Sequence, residues 1–214
     1  MKPQTSEFLI PGPVGALEVV LDEPAVAGQT ANVSRVGVIC HPHPLQGGTL
    51  THKVLHILAR MFNELGMPAI RFNFRGVGKS EGTHDDGRGE VDDVLAVIEY
   101  AEKRWPDAQI WLAGFSFGAA MALRASLQYP AKRLVTVAPA LRWLTQLSDS
   151  VPDCPWLIVQ GDHDELVDVD AVREWVAKLP KAPTLKILPG AEHFFHGRLN
   201  DLRDTVALWI SSPN

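Results

Sequence analysis

Short apolar runs alternate with amphipathic stretches along most of this chain. The runs are rich in Val, Ile and Leu, which is typical of strands that are buried on both faces. Two opening runs, SEFLI and GALEVVL, are separated by PGPV and predict an antiparallel pair. The later runs are RVGVIC, PAIRFNF, AQIWLAG, RLVTVAP, PWLIVQG and TLKILPG. The pattern therefore predicts a sheet of about eight strands.

Apolar residues at helical spacing lie between these runs. They fall on single helix faces within residues 54–65, 91–101, 172–179 and 202–210. Strands that alternate with helices favour a mostly parallel sheet with helices on both faces. The sequence has no repeat or linker, and we predict one α/β domain over residues 1–214.

Composition narrows the classes of partner. The chain has 214 residues, 46% of them hydrophobic, and a formal net charge of -5. A negative charge gives no electrostatic reason to expect binding to nucleic acid or to an anionic membrane. No apolar stretch is long enough for a signal peptide or a membrane span, so we predict a cytoplasmic protein. Two cysteines are too few for a disulfide framework, and Cys40 is predicted to be a buried thiol.

The strongest chemical signal follows the run AQIWLA. The sequence GFSFG, with Ser116 at its centre, lies between a predicted strand and the good helix former AAMALRASLQ. G-x-S-x-G in this context is a nucleophile elbow, in which a sharp turn exposes the serine at the carboxyl end of the sheet. A missing side chain at Gly114 and Gly118 relieves the crowding around such a turn. We therefore predict that Ser116 is a nucleophile.

A serine needs a base and a group that orients the base. The sequence GDHDELVD follows PWLIVQG, and AEHFFHG follows TLKILPG. Both loops lie at the carboxyl ends of strands, where ligands bind in such sheets. They offer several carboxylates (Asp162, Asp164, Asp168 and Asp170) and two histidines (His193 and His196). Asp168 or Asp170 could instead cap the following helix.

The order Ser, Asp, His is that of α/β hydrolases. On these motifs the chain resembles α/β-hydrolase fold serine hydrolases, from the first hairpin to the final helix, and above all the small capless bacterial hydrolases that are similar to dienelactone hydrolase. Their pattern G-x-x-D-x-x-V reads GDHDELV here and implies Asp164 as the acid, and G-x-x-H-x-F reads GAEHFF and implies His193 as the base. Dienelactone hydrolase itself carries cysteine as nucleophile, so Ser116 puts its lactone substrate in doubt.

The loop HPHPLQGGT follows the run RVGVIC and is predicted to complete an oxyanion hole. One donor should be the N–H of Phe117, directly after the nucleophile, and the other an N–H of this loop. Prolines have no N–H, which leaves His43 and Leu45, with Gln46 behind them. We prefer Leu45 because LQGG leads into a helix whose N-terminal N–H groups should face the pocket. The resemblance implies that His41 shapes the loop by packing and hydrogen bonding.

No metal or cofactor is predicted. His52 and His56 have the spacing of a helical ligand pair, but HKVLH lacks the glutamate of the zinc-protease motif, so we expect one or two exposed imidazoles. The segment RGVGKSEG is no P-loop, because Asn73 stands where glycine is needed. It resembles the R-G-x-G-x-S turn of the family, with Arg75 in a structural role. The acidic stretch THDDGRGEVDD after it is interpreted as a solvated loop that leads into a helix, rather than as a cation site.

The predicted function is hydrolysis of small carboxylic esters or thioesters through an acyl-enzyme. The interval ALRWLTQLSDSVPDC, where many members of the family insert a cap, is too short for more than a turn or two of helix. This predicts an open site, with Trp143, Leu141 and Leu144 as a possible apolar wall. A small peptidase or amidase and an acyltransferase are alternatives on the same triad. A binding module that keeps the fold without catalysis is the alternative from another class.

Overall fold

Eight strands form one sheet in the computed structural model, which describes residues 4–25, 33–144 and 150–212. The strands are β1 (Gln4–Gly12), β2 (Gly15–Glu23), β3 (Arg35–Cys40), β4 (Ala69–Phe72), β5 (Gln109–Phe115), β6 (Arg133–Val137), β7 (Trp156–Gly161) and β8 (Thr184–Leu188). Each lies on one of the apolar runs of the sequence. The predicted number of strands is confirmed for the described ranges.

The sheet is mostly parallel, in the order β1-β2-β4-β3-β5-β6-β7-β8. β1 and β2 form the predicted antiparallel pair, and β2 also runs antiparallel to β4. From β4 to β8 every neighbouring pair is parallel. The carboxyl ends of β3, β5, β6, β7 and β8 therefore meet at one edge, and the loops that carry the predicted site all leave from that edge.

Five α-helices cover the two faces of the sheet in the described parts of the chain. They are α1 (Lys53–Glu64), α2 (Gly89–Arg104), α3 (Phe117–Ser126), α4 (Val169–Ala177) and α5 (Leu199–Ser211). The apolar residues of α2, α3 and α4 pack on one face, and those of α1 and α5 pack on the other. Alternate residues of the strands supply the two cores, as Leu157 and Ile158 of β7 do. This is the α/β-hydrolase architecture that the sequence predicted.

A buried ion pair anchors the segment after β4. The Arg75 guanidinium donates to both oxygens of Asp93 in α2, with the shortest contact at 2.7 Å, and the Arg75 N–H donates to the same carboxylate at 3.0 Å. Glu90, one turn earlier, is fully buried and accepts from the N–H groups of Asp85 and Gly87. The structural role of Arg75 is confirmed. The interpretation of THDDGRGEVDD as a solvated loop is wrong for Glu90 and Asp93, because each is needed as an acceptor inside the protein.

The interval after β6 is short. A 3-10 helix at Leu141–Trp143 follows Ala140, and residues 145–149, which belong to the same interval, lie outside the described residues. Across the described chain, no helix has the length and apolar character required to cross a membrane. Cys40 is a buried free thiol, as predicted, and Cys154 is a partly buried one.

Candidate active site

Ser116 lies at a strained turn between β5 and α3. Its backbone dihedrals are φ 56° and ψ -116°, a combination that residues with a side chain seldom adopt. Hydrogen bonds to the neighbouring strand hold the turn: the Ser116 N–H donates to Val137 O at 2.9 Å, and Ser116 O accepts from the Ala140 N–H at 3.2 Å. The turn presents the half-buried Ser116 side chain at the carboxyl edge of the sheet.

Gly118 shows why the motif needs its second glycine. A Cβ at this position would overlap the carbonyl groups of Cys40 and His41 at the end of β3. These are backbone atoms of a central strand, so they cannot move aside as the end of a flexible side chain could. The missing side chain therefore lets α3 begin directly against β3.

His193 links Ser116 to Asp164. Its Nε2 atom lies 3.1 Å from Ser116 Oγ, and its Nδ1 atom lies 2.8 Å from Asp164 Oδ2. A carboxylate only accepts hydrogen bonds, so Nδ1 carries the proton, and in the neutral ring Nε2 accepts from the serine hydroxyl. The structure thus brings together the three predicted residues. His196, the alternative base, is exposed and lies 3.5 Å from Glu192.

The Asp164 carboxylate receives four N–H donors. Oδ1 accepts from the N–H groups of Leu166 and Val167 at 2.9 and 2.8 Å, and Oδ2 accepts from His193 Nδ1 and Gln160 Nε2, both at 2.8 Å. Burial raises the pKa of Asp164, but the hydrogen bonds and charge of His193 and the two backbone donors outweigh it and leave the pKa below its ordinary value. Asp164 is therefore ionised at neutral pH.

The other carboxylates of this loop have different partners. Asp162 accepts from the Gly190 N–H at 2.6 Å and so joins the loop after β7 to the loop after β8. Asp168 is the N-cap of α4, where it accepts from the Asp170 N–H at 3.1 Å. Capping by Asp168 was one of the alternatives that the sequence left open. Among the four candidates, only Asp164 contacts His193 within the described residues.

Backbone packing brings the loops of Asp164 and His193 together. A Cβ at Gly161 would overlap the carbonyl group of Ala191, so the last residue of β7 must be glycine for the two loops to approach this closely. The His163 N–H donates to the same carbonyl at 3.1 Å. Glu165 adds a further contact, because its carboxylate accepts from the His193 N–H at 3.2 Å.

His41 shapes the loop after β3, as the resemblance implied. It is fully buried, its Nε2 accepts from the Phe74 N–H at 3.0 Å, and its Nδ1 therefore carries the proton that contacts Pro42 O at 2.6 Å. Burial, as the largest cause, lowers the pKa of His41 to about 3. His41 is a neutral brace that joins β3 to the segment after β4.

The hydrogen bonds of the same loop distinguish the candidate oxyanion donors. The Leu45 N–H donates to His43 Nδ1 at 3.2 Å, and the Gln46 N–H donates to His43 O at 3.0 Å. The His43 N–H makes no hydrogen bond within the described parts of the chain. Phe117 is the first residue of α3, so its N–H has no acceptor inside the helix. The structure therefore favours His43 over Leu45, against the preference drawn from the sequence.

A cavity of about 390 Å³ opens beside Ser116 and His193. Leu141 and Trp143 line it, as the sequence suggested, whereas Leu144 is fully buried in the core. The Arg142 guanidinium lies 3.8 Å from the centre of the Trp143 ring. Leu166, an exposed residue of the Asp164 loop, also borders the cavity. The described lining is thus partly apolar, with one cation, Arg142, and one carboxylate, Asp168.

Aromatic rings surround the side of His193 that faces α1. Phe115 packs on His193 with ring centroids 5.0 Å apart, and His52 stacks on the other side of Phe115, also at 5.0 Å. His52 is the N-cap of α1, where Nδ1 accepts from the Val54 N–H, and it is half-buried. His56 is exposed and His52 is not, which agrees with the expectation of one or two exposed imidazoles. The described residues include no cluster of His, Cys, Asp and Glu that could hold a metal ion.

Comparison with known proteins agrees with this fold. The sequence matches the serine aminopeptidase S33 family over residues 45–154, a range that contains Ser116 and ends before Asp164 and His193. The fold and the match define an α/β serine hydrolase. The chain belongs to the family described as serine aminopeptidase, S33.

Solved structures of bacterial proteins are similar over nearly the whole chain. An α/β serine hydrolase homologue from Coxiella burnetii is 43% identical, with a TM-score of 0.89 over 96% of this chain and 97% of that one. A lidless α/β serine hydrolase from Xanthomonas campestris is 40% identical, with a TM-score of 0.88 over 99% and 97%. A dienelactone hydrolase from Anabaena variabilis shares the fold, at 16% identity and a TM-score of 0.81 over 98% and 97%. The resemblance to small α/β serine hydrolases without a lid is confirmed.

Sequence reasoning missed several residues around the site. Gln160 and Glu165 contact Asp164 and the His193 backbone, and Arg142 lines the cavity. Gln160 gave a signal in the sequence, because it is a polar residue inside an otherwise apolar run. Glu165 and Arg142 lie in loops where charged residues are common, so their positions gave no such signal.

Proposed function

We propose that this protein hydrolyses small carboxylic esters through an acyl-enzyme on Ser116. The observation that carries the proposal is the connected series of contacts from Ser116 Oγ through His193 to Asp164 beside an open cavity. Ser116 would be the nucleophile, His193 the general base and Asp164 the group that orients the base. Membership of a serine hydrolase family supports these roles.

The chemistry would run in two stages. In the first, Ser116 Oγ attacks the ester carbonyl carbon while His193 Nε2 takes the hydroxyl proton, and Asp164 stabilises the imidazolium. His193 then gives that proton to the departing alcohol, which leaves Ser116 acylated. In the second stage a water molecule attacks the acyl group, His193 takes its proton, and the carboxylic acid departs as Ser116 regains its hydroxyl.

The oxyanion formed in each stage needs donors that are already in place. The N–H groups of His43 and Phe117 are the candidates, because neither has a partner inside its own turn or helix. Each such donor is typically worth about 100- to 1000-fold in rate. Gly48 supports the arrangement, since a Cβ there would overlap the carbonyl groups of Pro42 and His43.

The cavity favours short acyl groups. Its walls include Leu141, Trp143 and Leu166, which suit an apolar substituent, but Leu166 is itself largely exposed. A long chain would extend past these residues into water and gain little from burial. We therefore propose a preference for short acyl esters or thioesters over long-chain lipid esters.

A peptidase or amidase is the second candidate, and the family description favours it. An aminopeptidase must neutralise the substrate's ammonium group, and Asp168 is a carboxylate that borders the cavity. Asp168 already caps α4, which reduces what it can offer a ligand. An acyltransferase would use the same acyl-enzyme with another acceptor in place of water. We rank the esterase first because an ester has the better leaving group and places fewer demands on an open site.

The first experiment is hydrolysis of p-nitrophenyl esters from acetate to decanoate, with Ser116→Ala alongside. We expect activity that falls with chain length and disappears in the variant. A fluorophosphonate probe should label the unchanged protein at Ser116. Labelling without ester hydrolysis would move the proposal to amides, to be tested with aminoacyl p-nitroanilides. Absence of labelling in the folded protein would favour a binding module that keeps the fold without catalysis.

A further inference from the structure

Gln160 is a fully buried polar residue near the end of β7. The strand is otherwise apolar from Trp156 to Val159, and the chain turns into the Asp164 loop directly after Gly161. A buried amide in such a strand is costly unless its polar atoms are hydrogen-bonded. The contacts of Gln160 therefore indicate what keeps it there.

The Gln160 amide nitrogen reaches three acceptors. Nε2 lies 2.8 Å from Asp164 Oδ2, 3.1 Å from Val167 O and 3.3 Å from Gly161 O. All three can only accept, so a flipped amide would place Oε1 against three oxygens. The orientation with Nε2 toward Asp164 is the one that the surroundings allow.

The amide oxygen of Gln160 has no such support. Oε1 is buried, and no donor within the described residues reaches it. Unsatisfied buried polar atoms are rare in folded proteins, and where one occurs it calls for a reason. The reason that the contacts suggest is the other end of the same amide, which binds the carboxylate oxygen that also accepts from His193 Nδ1.

From this geometry we propose that Gln160 is a positioning residue for the acid of the triad. Its amide joins β7 to the Asp164 loop and fixes Oδ2 where His193 Nδ1 can donate to it. The two backbone donors on Oδ1 hold one end of the carboxylate, and Gln160 holds the other. The inference rests on the proposed function, because it concerns the same triad.

The test begins with Gln160→Leu, which removes the donor and nearly preserves the volume. We expect kcat for a short p-nitrophenyl ester to fall about tenfold, below the roughly 100-fold that a misplacement of 1 Å can cost, because the backbone donors remain. KM should stay close to that of the unchanged protein, since Gln160 does not line the cavity. The variant also removes the unsatisfied Oε1, so no loss of stability is required.

Gln160→Glu tests the positioning role through the pH dependence of kcat, which a purely structural role would leave unchanged. A neutral glutamic acid can donate its O–H to Asp164 Oδ2, whereas the ionised form loses the donor and places a second negative charge there. The groups nearby that titrate or carry charge are Asp164, His193, Glu165 and Asp168. The ratio of kcat in this variant to kcat in the unchanged protein should therefore decrease as pH rises. The same ratio for Gln160→Leu should be independent of pH.

Thr136→Val is the matched control. Thr136 is a fully buried residue on the neighbouring strand, where its hydroxyl accepts from Trp156 Nε1 at 2.9 Å and donates to Leu157 O at 3.3 Å. Within the described residues its side chain makes no hydrogen bond to Ser116, Asp164 or His193. Its loss should lower the unfolding temperature and leave kcat unchanged. Gln160 variants with unchanged kcat and a flat pH ratio, beside an inactive Ser116→Ala, would overturn the inference and leave the proposed function intact. An inactive unchanged protein that resists fluorophosphonate labelling would instead overturn the proposed function.

Discussion

Two buried carboxylates, Asp93 and Asp164, lie in similar surroundings, and we propose that they serve different purposes. Each side chain is inaccessible to solvent, and each receives several N–H donors. Asp93 takes them all from one residue, Arg75, whose guanidinium and backbone N–H both donate to the carboxylate. Asp164 takes three from neutral amides and one from His193, whose other ring nitrogen contacts Ser116.

The difference shows how the same kind of contact can close a loop or support a proton transfer. Hydrogen bonds to Asp93 raise the pKa of Arg75, so the guanidinium stays charged, whereas burial raises the pKa of Asp93 itself. His193 Nε2 faces Ser116 and Nδ1 faces Asp164. The negative charge of Asp164 would therefore stabilise the imidazolium formed when Nε2 takes a proton. The proposed difference in role therefore depends on the donor: His193 also contacts Ser116, whereas Arg75 only joins Asp93 to the segment after β4.

The largest expected effect is that of Asp164→Asn on catalysis. An amide at this position can donate to His193 Nδ1 and hold the imidazole in the wrong tautomer, which in a Ser-His-Asp triad costs about 10,000-fold in kcat. The measurement is kcat for p-nitrophenyl acetate, with thermal unfolding to show that the variant folds. A folded variant with nearly full activity would mean that Asp164 has only the structural role of Asp93.

Asp93→Asn should produce the opposite result. It leaves the Arg75 guanidinium buried without a carboxylate, and breaking a buried pair in this way costs about 3–5 kcal/mol of unfolding free energy. The kcat of the protein that remains folded should be close to that of the unchanged chain. Urea unfolding together with active-site titration by a fluorophosphonate separates the two quantities. A large loss of kcat per labelled site would show that the two regions do not differ in purpose.

The third prediction concerns a backbone donor, the N–H group of His43, and its expected effect on kcat is smaller than that of Asp164→Asn. His43 has φ -54°, which proline can adopt, so His43→Pro removes the proposed oxyanion N–H without forcing the backbone. His43→Ala removes the same imidazole and keeps the N–H. We expect kcat of the proline variant to lie about 100- to 1000-fold below that of the alanine variant. Equal kcat values would assign the second oxyanion donor to another group.

The sequence predicts the fold, and it predicts that Ser116, Asp164 and His193 lie close together, for identifiable reasons. Strands buried on both faces leave continuous apolar runs, as β3 and β5 do, and these runs are legible without a structure. Loops at one edge of a parallel sheet must lie close together, so Ser116, Asp164 and His193 could be expected to meet although they are distant in sequence.

What the sequence could not predict depends on local side-chain geometry. Leu45 was preferred as an oxyanion donor because nothing in the sequence shows that His43 Nδ1 accepts its N–H. The sequence does not show that Glu90 and Asp93 are buried, because Glu90 is held by the N–H groups of its own loop and Asp93 by the Arg75 guanidinium. Such contacts are decided by rotamers and by elements that pack from elsewhere in the chain, which periodicity does not report.

His52→Asn is expected to have the smallest effect, and it concerns pH. Burial first, and then the charge of His193, lowers the pKa of His52 to about 4. An unfolded histidine titrates near 6.5, so between about pH 6.5 and 4 the unfolded chain binds a proton that the folded one does not, and stability falls as pH falls. Asparagine can keep the cap on α1 and does not titrate, so the variant should lose less unfolding free energy across that window.

Urea unfolding at several pH values within the window measures the difference. The control is His163→Asn, because His163 is an exposed histidine of the Asp164 loop. This control should leave the dependence of stability on pH close to that of the unchanged protein. The same dependence in the His52 variant and in the unchanged protein would show that the stack of His52, Phe115 and His193 does not keep His52 neutral. The rings beside His193 would then serve packing alone.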